Sequence, residues 1–112
     1  MKVMGIDPGV AITGYGVVEE QNGKWQRVVS GCIRTSRNNQ APERLAQIFG
    51  RLSGLINCYQ PQALSLEKLF FCKNTRTALQ VGEARGVVIL AAALNKVELF
   101  EYTPLQIKKA VS

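Results

Sequence analysis

The chain has 112 residues, 46% of them hydrophobic, three cysteines and no histidine. That length makes one domain around one core, and the lack of histidine removes the usual general base and any Ser-His-Asp or Cys-His arrangement. Fourteen Lys and Arg against eight Asp and Glu leave a net charge of +6, a balance that suits a polyanionic partner, most often nucleic acid. Cys32, Cys58 and Cys72 are widely spaced with no C-x-x-C pair. Reduced thiols in or near the core are expected, rather than a zinc site or disulfides. The longest apolar run, residues 87–94, falls far short of the ~20 residues that span a bilayer, and the start shows no leader pattern. A soluble, cytoplasmic protein with no membrane partner is the expectation. Chemistry near neutral pH would fall to carboxylates and a bound cation.

Residues 2–7, KVMGID, read as a buried strand. Asp7-Pro8-Gly9 behind it is good turn chemistry, because Pro pre-sets φ and Gly tolerates positive φ. Residues 14–20 continue as a second strand, and Asn22-Gly23 is a hairpin turn. Residues 25–35 form a third strand, with Trp25, Val29 and Ile33 expected on a common face. After a polar loop, residues 42–59 show helical spacing: Leu45, Ile48, Phe49, Leu52, Leu55, Ile56 and Tyr59 make one stripe. Pro42 and Glu43 suit its first turn and Pro61 closes it. Residues 63–67, ALSLE, are a fourth strand ending in Glu67.

Residues 74–95 read as a long helix with Asn74 or Thr75 as N-cap. Ala78, Gly82 and Gly86 recur every four residues, and such small residues admit another backbone. They either pack tightly on the sheet or form a helix–helix subunit contact, and the two can coexist. Residues 97–102 are a fifth strand, and Thr103-Pro104 opens a further helix. The order β-β-β-α-β-α-β-α argues for an α/β fold: a five-stranded mixed sheet, its first three strands antiparallel, flanked by helices.

Asp7 ends the first strand and Glu67 the fourth. If those strands are parallel neighbours, both carboxylates emerge at one sheet edge. There they could hold Mg²⁺, a hard cation that takes oxygen ligands and keeps several waters. Two such ions ~4 Å apart can activate water and stabilise the leaving oxygen in phosphodiester hydrolysis. The plainer alternatives are a turn-forming Asp7 and a surface Glu67.

The segments GIDPG…TGYGVV, SGCIRT, LEKLFFCKNTRTALQVGEARGV and FEYTPLQIKKAV, in that order, resemble the RuvC family of Holliday junction resolvases, the crossover junction endodeoxyribonucleases. The resemblance covers essentially the whole chain. A lone DPG would mean little, but E-x-x-F-x-x-K-N followed by A-R-G is hard to meet by chance. The resemblance implies an RNase H-like fold and a hydrolase of DNA recombination and repair in the bacterial cytoplasm. It implies a homodimer that binds four-way DNA junctions and nicks two strands symmetrically with Mg²⁺ or Mn²⁺, two ions in the complete family member. A branch-migration motor is an implied partner.

By the same resemblance, Asp7 and Glu67 match catalytic, metal-binding carboxylates. Phe70 matches an aromatic that engages junction bases, where stacking contributes; Phe71 reads as core. Lys108 matches a basic position suited to phosphate contact. Lys73, Asn74 and Arg76 lie at a helix start, where donors and the positive dipole suit DNA phosphate or simply cap a solvated helix. Arg85 has a structural role at least as readily as a functional one. Arg34, Arg37, Arg44 and Arg51 extend the charged surface or lie on solvated faces.

Family members run on for tens of residues past Ser112, and that part is implied to hold a final helix with further acidic residues of the metal site. The expectation is therefore a single domain, residues 1–112, lacking that helix and cleaving poorly or not at all. Two other readings compete. One is a non-catalytic RNase H-like DNA-binding module. The other is an actin-like or sugar-kinase ATPase, which needs a longer chain and a second glycine-rich phosphate loop.

Overall fold

Alternation in β1 (Lys2–Asp7) sets the geometry of the sheet: Met4 and Ile6 are buried, while Val3 and Gly5 turn to the other face. The computed structural model describes residues 1–67 and 75–102. β2 (Ile12–Gln21) and β3 (Lys24–Arg34) follow. Asn22 and Gly23 between them both have positive φ, 54° and 77°, as a two-residue hairpin turn of this hand requires. β2 starts two residues earlier than its alternation suggests, because Ile12 pairs with Arg34 and Thr13 with Ile33.

β3 departs from expectation at Val28. Val17 pairs with Val29 and Val18 with Arg27, so Val28 is an extra residue, a bulge. The bulge offsets the two-residue period. Val29 and Ile33 keep the core face, while Trp25, opposite Glu20, falls on the other. The expected common face of Trp25, Val29 and Ile33 is corrected accordingly.

α1 (Ala41–Tyr59) buries the expected stripe: Ile48, Leu52 and Ile56 are fully packed, with Leu45, Phe49, Leu55 and Tyr59 beside them. Gln60 ends it in the left-handed conformation, its N–H donating to the Ile56 carbonyl at 2.8 Å. β4 (Ala63–Glu67), α2 (Thr75–Leu94) and β5 (Glu98–Tyr102) complete the described chain. The sheet order is β3-β2-β1-β4-β5. β1 and β2, and β2 and β3, are antiparallel; β4 is parallel to both β1 and β5.

One core joins Met4, Ile6, Val17, Ile33, Leu64 and Leu66 of the sheet to Ile48, Leu52 and Ile56 of α1 and Val88, Ala91 and Ala92 of α2. Both described helices therefore cover the same sheet face. Arg85 of α2 pairs with Glu101 of β5 at 2.5 Å, which ties helix to sheet and gives Arg85 its structural role.

Two corrections follow, the first to one of the two readings of the small residues on α2. Gly82 and Gly86 do not pack on the sheet; they are exposed, and a Cβ at either would meet nothing within 4 Å. Ala84, Val88, Ala91 and Ala92 supply the close approach instead. Cys32 and Cys58 are exposed free thiols, not core residues; β3 alternation turns Cys32 away from the core and α1 spacing does the same for Cys58. Cys72 and the helix expected after residue 103 lie outside the described residues. No described helix is long and apolar enough to cross a membrane.

Candidate active site at the sheet edge

The two carboxylates are brought together by strand pairing. β1 and β4 run parallel with Ile6 opposite Leu66, and Asp7 and Glu67 are the next residues on each. Both strands thus deliver a carboxylate residue to the same edge, at their C-terminal ends. That is where open α/β sheets bind ligands. Asp7 is exposed and pairs across the hairpin with Gly14. Glu67 pairs on its other side with Tyr102 of β5.

The loop behind Asp7 is held rigidly. The buried Thr13 hydroxyl donates to the Gly9 carbonyl at 2.6 Å and accepts the Gly9 N–H at 3.2 Å. Thr35 closes the other side: its hydroxyl donates to the Val10 carbonyl at 2.7 Å, and its N–H to the Ala11 carbonyl at 3.1 Å. Arg44 of α1 donates from Nε to the Thr35 hydroxyl at 2.8 Å. Pro8 is buried at the turn. Gly9 is required by space, because a Cβ there would run into the Ile12 carbonyl oxygen. Asp7 therefore stands on a strand tip whose exit path is fixed from β2, β3 and α1.

Around Asp7 the sheet face is nearly free of side chains. Gly5 precedes it by two residues on β1, and Gly14 and Gly16 lie beside them on β2. A Cβ added to Gly14 would stand 3.7 Å from the Asp7 Cβ, which confirms that the two share a face. Such a floor lets a bulky ligand approach the backbone.

Asp7 and Glu67 are oxygen donors, as a hard divalent cation requires. Among the described residues no group of three or more His, Cys, Asp or Glu gathers to hold a metal, so the described edge offers this pair. Of the other expected site residues, Arg76 is the second residue of α2, at its N-terminal end. Phe70, Lys73, Asn74 and Lys108 lie outside the described residues. Sequence reading missed Thr13, Thr35 and Arg44 as supports. Hydroxyls near a Pro-Gly turn are a weak hint, but Thr35 and Arg44 reach the loop only through the fold.

The description "crossover junction endodeoxyribonuclease RuvC" belongs to the family model that matches residues 3–112. The chain belongs to the RuvC family. A RuvC from Pelotomaculum thermopropionicum is 51% identical over 112 residues, all of this chain and 68% of that protein. One from Alkaliphilus metalliredigens is 50% identical over 111 residues, again 68% of its length. The chain thus spans about two thirds of these curated relatives. The solved structure of Thermus thermophilus RuvC in complex with Holliday junction substrate superposes with a TM-score of 0.89 at 33% identity, covering 98% of this chain and 70% of that one. The RNase H-like α/β fold expected from the resemblance is the one observed. Membership in the RuvC family makes the chain a nuclease by descent and sets aside the ATPase reading, whose second glycine-rich loop is absent from the sequence.

Proposed function

We propose that this chain is the junction-binding, carboxylate-bearing part of a Holliday junction resolvase, an endonuclease of recombination and repair. The single observation that carries the reading is the parallel pairing of β1 and β4, which sets Asp7 and Glu67 one register step beyond Ile6 and Leu66. The family is one of metal-dependent nucleases, and Mg²⁺ or Mn²⁺ is the ion that two carboxylates at a solvent-exposed edge would suit. Such an ion supplies an activated water and stabilises the charge on the departing oxygen. The chain's own residues orient it: Asp7 from the braced strand tip, Glu67 from the neighbouring strand. Phe70, by family position, stacks on an opened junction base. Lys73, Asn74, Arg76 and Lys108 are the proposed phosphate-binding residues.

Residues 1–112 act as one domain in this reading, since a single sheet takes strands from both ends of the described chain. The exposed side of α2 is the proposed homodimer face. Leu79, Gly82, Gly86, Ile89, Leu90 and Leu94 share that outer surface with Glu83, a largely apolar stripe of the kind that suits a second surface. A homodimer brings two such edges to one symmetric junction, and a branch-migration motor is the further partner the resemblance implies.

Competition binding tests the reading. The chain is titrated against an end-labelled four-way junction and a linear duplex of the same sequences. Preference for the junction by at least about tenfold, ~1.4 kcal/mol, is the expected result. Equal affinity for both would overturn it.

A further inference from the structure

We propose that Arg34, the last residue of β3, is a phosphate-binding residue that holds the DNA strand a few nucleotides from the phosphate engaged at Asp7. The proposal rests on the junction-nuclease reading above and adds a residue to that site.

Its place in the sheet is fixed by register. Asp7 pairs with Gly14, Gly14 with Cys32, and two residues further on Ile12 pairs with Arg34. Paired residues share a face, as do residues two apart. Arg34 therefore stands on the same face as Asp7, opposite the buried Ile33. With adjacent strands ~4.8 Å apart and ~3.4 Å per residue, the two Cα atoms are about 12 Å apart. At ~3.4 Å rise per nucleotide that distance covers a few nucleotides of one strand.

The ground between them is low. Gly14 has no side chain and Cys32 a small one, so a phosphodiester backbone can cross the sheet from Asp7 to the guanidinium over Gly14 and Cys32, with the exposed Ile12 beside Arg34 flanking the path.

The side chain is also available. Arg34 is exposed, and among the described residues it has no ion pair or hydrogen bond. Arg44 is engaged on Thr35, Arg85 on Glu101, Lys2 on Glu19 and Arg27 on Ser30, and of the described arginines Arg34 is the one that stands on this face at the Asp7 end of β3. Arg27 shares the face but lies toward the far end of β3, and its hydrogen bond to Ser30 holds it there. Arginine, with its planar fork of donors, is the side chain that recognises phosphate oxygens in pairs. A strand of DNA is the occupant that charge and continuity with Asp7 select.

The test compares the wild-type chain with Arg34→Ala, Arg34→Lys and a control, Arg51→Ala, an exposed arginine on α1 across the sheet. Junction affinity is measured from low to moderate salt, with junctions that carry one neutral methylphosphonate at successive positions. Arg34→Ala weakens binding about tenfold, the lower range of a charge-assisted hydrogen bond. It flattens the log–log salt slope by about one, and Arg34→Lys restores the slope. One methylphosphonate, a few nucleotides from the cleavage position, weakens the wild type and leaves Arg34→Ala unaffected. If Arg34→Ala matches Arg51→Ala in slope and keeps every methylphosphonate effect, the assignment of Arg34 is wrong while the nuclease reading stands. If the wild type itself does not prefer junction over duplex, both fall together.

Discussion

Thr13 shows how much the candidate site depends on groups that carry no chemistry. Its hydroxyl satisfies both backbone groups of Gly9 from within the protein interior. Thr13→Val keeps the shape and removes both partners. Unpaired buried polar groups cost about 1–3 kcal/mol, and for a domain of this size each kcal/mol lowers Tm by about 4 °C or more. Thermal unfolding should therefore fall by roughly 4–12 °C in Thr13→Val, with more than half of that recovered in Thr13→Ser. A Tm for Thr13→Val within a degree of wild type would show that the loop does not need the hydroxyl. Residues of this kind are poorly legible in sequence. Asp7 and Glu67 stood out because a carboxylate at the end of an apolar strand is unusual. Thr13, Thr35 and Arg44 look ordinary until pairing of β2 with β3 and packing of α1 bring them to one turn.

At the scale of elements, sequence was informative wherever local chemistry sets the conformation. Asn22-Gly23 specified the hairpin, the apolar stripe specified α1, and the succession of strands and helices along the chain followed from alternation and length. It failed where the outcome depends on a partner strand. The bulge at Val28 has no local signature, and it moves Trp25 to the opposite face. The spacing of Gly82 and Gly86 predicted close approach but not to what, and the described sheet is not the answer. α2 is apolar on both sides because one side is core and the other, with Leu90 half exposed at 50%, is left for a second surface. Leu90→Glu would place a charge in that surface without touching the core. Sedimentation should show the wild-type chain as a dimer and Leu90→Glu as a folded monomer whose Tm, unlike that of the wild type, does not rise with protein concentration. A wild type that stays monomeric at high micromolar concentration would remove α2 as the dimer face.

The molecule as a whole puts a net charge of +6 on a sheet whose one face is closed by α1 and α2. The other face carries Asp7, three glycines and Arg34. That division sets the core on the helix side, with Asp7 on the far face at the end of β1. A polyanion approaching the far face meets carboxylates that would repel it unless a cation lies between them. On the proposed reading, junction binding and cation uptake are coupled at Asp7.

The most direct measurement is Mn²⁺ uptake by the chain–junction complex, read from the free-ion electron paramagnetic resonance signal after subtracting uptake by junction alone. The account predicts that Asp7→Asn binds junction in EDTA at least as well as wild type, because a repulsive charge is gone. It also predicts that the same variant takes up Mn²⁺ at least about tenfold more weakly, since even lost supporting contacts cost that much. Unchanged Mn²⁺ uptake by Asp7→Asn would contradict it and return Asp7 to the role of a turn-former.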